Sequence, residues 1–175
     1  MAGSHRTAEL KVPTMAVGVR LALVAAQPAP VEMFLPDIPG RSHNQMLDDL
    51  ASQLGGDARF VPVRMANQVR LVGKHAIAWI AVTRYPAGEA PEAPAASVDI
   101  PEELTLFDHQ HFVEIELAHD QKLVGTLLDS ESIEHSRLGD HLNRSGYWLR
   151  LWTPDQHYLV NAQQVVAVTE LGEVW

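Results

Sequence analysis

The sequence predicts a mainly β protein with short helices, of the β or α+β class. It further predicts two tandem ββαβββ-like repeats forming small barrels or packed sheets. Three observations carry this. Short runs of alternating apolar residues recur along the chain, each bounded by proline, glycine or asparagine, the mark of half-buried strands. Only two short stretches have helical spacing. The order of strands and helix in the first half recurs in the second, on either side of a proline-rich acidic segment.

Residues 1–14 read as a flexible arm, with Pro13 near its end. Val17, Val19, Leu21 and Leu23 alternate and so share one face of a first strand. Gln27-Pro28-Ala29-Pro30 breaks it, because proline has no N–H for a ladder. Val31 to Leu35 is a second strand, closed by Pro36-Asp37-Ile38-Pro39-Gly40. Ser42 and Gln45 have capping-box spacing, in which each side chain satisfies a backbone N–H at a helix start. Met46, Leu50 and Leu54 then form an apolar stripe. Gly55-Gly56 is expected to end this helix in the left-handed conformation that glycine tolerates. Phe60 to Met65, Val69 to Gly73 and Ile77 to Val82 read as strands, with Pro62 at an edge or bulge. Together these make a first repeat over residues 15–85.

Residues 86–108 read as a linker. Pro86, Pro91, Pro94 and Pro101 stand among alanines and acids with no Lys or Arg between 86 and 103, a composition that builds no core. The second repeat, residues 109–175, opens with Val113, Ile115 and Leu117 on one strand face and Phe112, Glu114 and Glu116 on the other. His119-Asp120-Gln121 is a turn, and Leu123 to Leu128 returns with a bend at Gly125. His135 to Asn143 is a short helix stopped by Ser145-Gly146. Tyr147 to Trp152 is a strand, Thr153-Pro154-Asp155-Gln156 a turn with proline where type I turns favour it, and Tyr158 to Val160 and Val165 to Val168 complete the unit.

Laid over each other, the halves place Val19 to Leu23 on Val113 to Leu117, and Val31 to Leu35 on Val124 to Leu128. Met46-x-Asp48-x-Leu50 falls on Leu138-x-Asp140-x-Leu142. Phe60 to Ile80 runs without a gap against Trp148 to Val168, so that Gln68, Leu71 and Val72 meet Gln156, Leu159 and Val160. Each half is small enough to bury too little surface alone, which predicts a shared interface.

Gly125, Arg137-Leu138-Gly139-Asp140-His141-Leu142-Asn143, Trp148-Leu149-Arg150-Leu151 and Val160-Asn161 form a pattern in the second half. In this it resembles an uncharacterised family of small bacterial domains. That family has no established activity, so the resemblance implies a fold and no reaction. The first half departs from the pattern: Asn44 or Gln45 stands in place of the arginine, Ala51 in place of Asn143, and Gly73 in place of Asn161.

The net charge is −9 and unevenly spread. Residues 1–85 hold 9 Lys/Arg and 6 Asp/Glu, a balance of +3; residues 86–175 hold 4 and 16, a balance of −12. Such asymmetry fits complementary packing between halves or between subunits; solvated strand faces and an acidic linker give the same count. It disfavours nucleic acid for the second half, because phosphate contacts need clustered Lys/Arg. The absence of cysteine excludes disulfides and thiolate zinc sites. No apolar run approaches the roughly 20 residues of a membrane span, and no signal-peptide pattern opens the chain, so membrane insertion is not expected and cytoplasmic residence is.

Nine histidines raise a metal site. His109 and His111 share a strand face, and His135 and His141 follow; such nitrogen ligands suit zinc or nickel. The competing reading is surface histidines near turns, since no His-Glu-x-x-His spacing occurs. Arg137 and Asp140 have helix-pair spacing, Asn143 and Asn161 suit turns, and Trp148 and Trp152 share a strand face suited to a core or an interface. These six are the structural or interaction candidates. No converging acid–base pair, serine nucleophile motif or phosphate loop is present, so no catalytic residue and no cofactor are expected. The leading expectation is a non-enzymatic interaction or assembly module whose partner is another protein or a second copy. The alternatives are a ligand- or metal-sensing domain using residues 109–141, and a small-barrel RNA binder using Arg59, Arg64, Arg70 and Arg84.

Overall fold

A computed structural model describes residues 14–83, 109–129, 138–144 and 146–172. The expected arm and linker, with Arg137 and His135, lie outside these residues. The chain is mainly β. The first half contains β1 (Thr14–Leu23), β2 (Ala29–Pro36), α1 (His43–Gly55), β3 (Phe60–Met65), β4 (Gln68–Gly73), a 3₁₀ turn at Lys74–Ala76, and β5 (Ile77–Thr83). The second contains β6 (His109–Leu117), β7 (Gln121–Asp129), α2 (Leu138–Arg144), β8 (Trp148–Trp152), β9 (Gln156–Asn161), a 3₁₀ turn at Ala162–Gln164, and β10 (Val165–Gly172).

All ten strands form one antiparallel sheet in the order β10-β6-β7-β8-β9-β5-β1-β2-β3-β4. Each half therefore runs fifth, first, second, third, fourth strand. The registers correspond as well. Val19 faces Val31 and Val113 faces Gly125, both partners moved by 94 positions. Phe60 faces Gly73 and Trp148 faces Asn161, both moved by 88. Met33 with Val63 becomes Leu127 with Leu151, and Leu21 with Ile80 becomes Ile115 with Val168. A register shift at Leu23 and Ile77 has its counterpart at Leu117 and Val165. Even the bond from Val24 N–H to the Ala76 carbonyl matches that from Ala118 to Gln164, at 2.9 Å each. The pairing sets Gly125, rather than the expected Val124, against Val31.

The sheet is open, and the expected small barrels are not formed. Closing either half would pair its fifth strand with its own fourth. Instead β5 takes β9 of the other half, from Trp79 opposite Val160 to Thr83 opposite Gln156. This leaves β4 and β10 as the two edges.

Two hydrophobic cores flank that central pair. The first gathers Leu21, Met33, Leu35, Leu50, Leu54, Val63, Ile77 and Ile80. The second gathers Trp79, Ala81, Val113, Ile115, Leu127, Leu149, Leu151 and Val160. Neighbouring residues of β5 thus serve different cores, as do Leu159 and Val160 of β9. β5 is consequently buried from Ile77 to Val82.

Local detail follows the chemistry with two corrections. The capping box forms: Ser42 Oγ accepts from Gln45 N–H, and Gln45 Oε1 accepts from Ser42 N–H. The buried stripe of α1 is Leu47, Leu50 and Leu54, with Met46 at its margin, so the helix is rotated from the expected face. Gly56 ends it with φ −67° and ψ 170°, extended rather than left-handed, because the chain leaves directly toward β3. Pro62 sits where β2 no longer pairs with β3, since that ladder comprises only Glu32 with Arg64 and Met33 with Val63. The two-residue β3–β4 turn at Ala66-Asn67 has positive φ at both residues, as hairpins with matching twist require, and the three-residue β6–β7 loop has positive φ at His119 and Asp120.

Gly125 is fixed by a close approach. A Cβ there would lie 2.5 Å from the Trp152 carbonyl oxygen and 3.1 Å from Leu151 Cγ. Gly125→Ala is expected to force β7 from β8 and to destabilise by about 1–3 kcal/mol, the usual cost of overpacking. A urea unfolding midpoint unchanged from wild type would contradict this account.

Candidate functional site

Among the described residues, the most elaborate constellation is the seam where the halves meet. Its backbone is the β5–β9 ladder. Trp79 meets Tyr158 edge-on, with ring centroids 5.2 Å apart. The Trp79 indole N–H donates to Gln121 Oε1 at 3.1 Å. Burial pushes the Tyr158 phenol above its ordinary pKa.

Asn161 ties the seam together from within. It is 2% exposed. Its Nδ2 donates to the carbonyls of Ile77 at 2.9 Å and Lys74 at 3.4 Å, while its Oδ1 accepts from Gln163 N–H at 3.0 Å. One amide therefore caps a 3₁₀ turn of the second half and satisfies carbonyls of the first. Gln164 Nε2 adds a bond to the His75 carbonyl at 2.9 Å.

α1 reaches across in the opposite direction, from the first half to the second. His43, its first residue, lies against the buried His157 of β9, ring nitrogens 3.0 Å apart. Asp48 accepts from the Arg150 guanidinium on β8. Trp148 and Leu159, both from the second half, pack on the first core.

A cavity of about 550 Å³ lies at one end of the seam, lined by the β1–β2 turn at Ala25 to Pro28, the β6–β7 turn at His119 to Leu123, and Trp79. Lys122 is engaged by Glu114 and Glu116 at 2.8 Å each, which holds its ammonium protonated above the usual range.

The structure thus separates the residues singled out by sequence. Asn161 and Trp148 belong to the seam. Trp152 shares the half-buried face of β8 with Trp148 and Arg150. Asp140 is half-buried on α2 and Asn143 is exposed. His111 Nδ1 lies 2.9 Å from Glu170 Oε1, a contact between β6 and β10, while His141 sits on α2. The His109 side chain lies outside the description. Among the described residues no three His, Asp or Glu side chains gather as a metal site. Of the arginines considered for RNA, Arg64 pairs with Glu32 at 2.8 Å and lies over the Phe34 ring, Arg59 and Arg70 are exposed, and Arg84 is not described. Sequence reasoning missed His43, Arg150, His157 and Gln164, whose partners lie far away in the chain.

The sheet edges are the other distinctive surfaces. On β4, Val69 is 61% and Leu71 71% exposed; on β10, Val166 is 69% and Leu171 47% exposed. No protein-family model, curated protein or solved structure matches the chain. No helix among the described residues is long and apolar enough to cross a membrane.

Two outcomes test the seam. Asn161→Ala leaves buried carbonyls without a donor and is expected to cost about 1–3 kcal/mol in urea unfolding; a loss below a few tenths would deny it a structural role. Because the folded Tyr158 favours its neutral form, its contribution is complete below the ordinary tyrosine pKa of about 10 and falls as pH rises through the raised folded value. Tyr158→Phe is therefore expected to flatten the alkaline limb of a Tm-against-pH curve, and an unaltered limb would place that titration elsewhere.

Proposed function

We propose that this protein is a non-enzymatic assembly module made of two copies of one ββαβββ unit, acting through its sheet edges as an oligomer or as a subunit of a larger complex. The observation that carries the reading is that β4 and β10 end the sheet with no further strand paired to them among the described residues, each with exposed Val or Leu side chains. An edge strand offers a row of backbone donors and acceptors, and soluble proteins ordinarily blunt such edges with lysine, proline or a covering element. An edge kept apolar is suited to accepting a partner strand.

The duplication is supported by the matched registers, the matched register shift and the matched strand order of the halves. In this reading the seam is itself an assembly contact, made permanent by joining two units in one chain. The interaction residues are then those of β4 and β10, with Asn161, Trp148 and Trp152 serving the internal contact.

Native mass spectrometry of untagged protein, purified gently from its source, tests the function. The expected result is a defined complex heavier than the 19.3 kDa chain. A bare monomer carrying a metal or small-molecule adduct would overturn the reading in favour of sensing. The duplication has its own test. Cutting the chain near Ala95 uncovers Trp79 and Ala81 on the first piece and removes Leu159 from its core, while the core of the second piece loses Trp79 and Ala81. The pieces are expected to be unstable apart and to recover a cooperative melt when mixed. Two stable monomeric halves would count against a seam that both need.

A further inference from the structure

We propose that the partner at both edges is a second copy of this chain: β4 of one molecule pairs antiparallel with β10 of the next, in the register of the seam. The inference rests on the assembly reading above and narrows it to one contact.

The argument starts from equivalence. By position in its half, β4 corresponds to β9 and β10 to β5. The seam is a β5–β9 pair, so a β10–β4 pair would be the same contact made between molecules. The 88-residue correspondence even gives its register. Trp79 opposite Val160 becomes Ala167 opposite Val72, and Ala81 opposite Tyr158 becomes Thr169 opposite Arg70.

The side chains support it. Val160, Leu159 and Gln156 of β9 have Val72, Leu71 and Gln68 as their counterparts in β4. Leu159 is 1% exposed because the other half covers it, whereas Leu71 is 71% exposed. The same residue at the same strand position is thus covered at the seam and bare at the edge. The helices agree in direction: α1 of the first half crosses onto β8 of the second. The corresponding neighbour for α2 is β3 of the next molecule.

Charge selects the polarity. Pairing β4 with β10 sets a half whose described residues hold 6 Lys/Arg and 5 Asp/Glu beside one whose described residues hold 3 and 7. Pairing like edges would set acid against acid or base against base, which costs free energy. The contact is therefore head-to-tail, and repetition gives a ring if the rotation closes and a filament if it does not.

Cysteine chemistry reads this directly, because the chain has none of its own. Arg70→Cys and Thr169→Cys are made in separate chains and mixed. Directly opposed residues of antiparallel strands lie about 4.5–5.5 Å apart, within the span of a disulfide. Mild oxidation is expected to give a covalent dimer, well above the yield from Gln68→Cys mixed with Thr169→Cys, which is out of register. In the wild-type background, Leu71→Lys is expected to shift the native mass to 19.3 kDa while the far-UV spectrum stays unchanged, since Leu71 is not in a core. Equal yields from the two mixtures would overturn the proposal, and should Leu71→Lys fail to fold, the mixtures alone decide. An oligomer that persists in folded Leu71→Lys, without in-register cross-linking, would overturn this contact and leave the assembly reading standing. A wild-type monomer without a partner would remove both.

Discussion

The pairing of β5 with β9 is the constraint on which the rest of the structure depends. Each half has five strands in an order that would let its fifth strand close on its fourth. Because β5 is taken by β9, the halves are joined and neither closes. The same pairing explains the burial of β5, whose two faces feed different cores. It also explains why units this small are expected to hold together: each borrows a covered surface from the other, which raises the buried fraction that small domains lack. Asn161 and Gln164 act from the second half on residues 74–77 of the first, and α1 acts from the first half on β8 and β9 of the second.

Much of the fold was legible because its signals are local. Alternation over Val17 to Leu23 and Val113 to Leu117 reports a half-buried strand without knowledge of its neighbours. Ser42 with Gln45 reports a helix start for the same reason. The rotated stripe of α1 shows the limit: Met46 and Leu47 are both apolar neighbours, and the packing of distant strands in the first core decides which is buried. Gly55-Gly56 is similar, since a glycine permits a left-handed cap without requiring one. The open sheet could not be read at all. Strand order within a half is compatible with closure, and the choice between β4 and β9 as partner for β5 lies in long-range packing. Leu159 and Leu71 make the point, being the same residue at corresponding positions with opposite exposures.

The site was legible in part, and for a related reason. Asn161 stood out as a turn residue, and it does cap a turn. Its second role, donating to Ile77 and Lys74, depends on a segment more than eighty residues earlier. Histidine abundance drew attention to a metal, yet the clearest histidine contacts are His43 with His157 and His111 with Glu170, which link elements pairwise. A pair across two strands is a packing contact; a metal needs a third ligand converging on the same point.

The two edges differ in a way that bears on what they accept. β4 carries Arg70 and β10 carries Glu170. In the self-paired registers centred on these residues, two β4 strands would set guanidinium against guanidinium, and two β10 strands carboxylate against carboxylate. Like charges opposed across strands are destabilising. Each charge thus guards its edge against its own kind and leaves the unlike edge admissible. The proposed intermolecular contact would also lack the Asn161 tie of the seam, because Gly73 stands where the second half has Asn161. An edge without that amide would form the same ladder with fewer buried bonds. The proposed assembly would therefore combine a junction tied by Asn161 with a matching contact that lacks this tie.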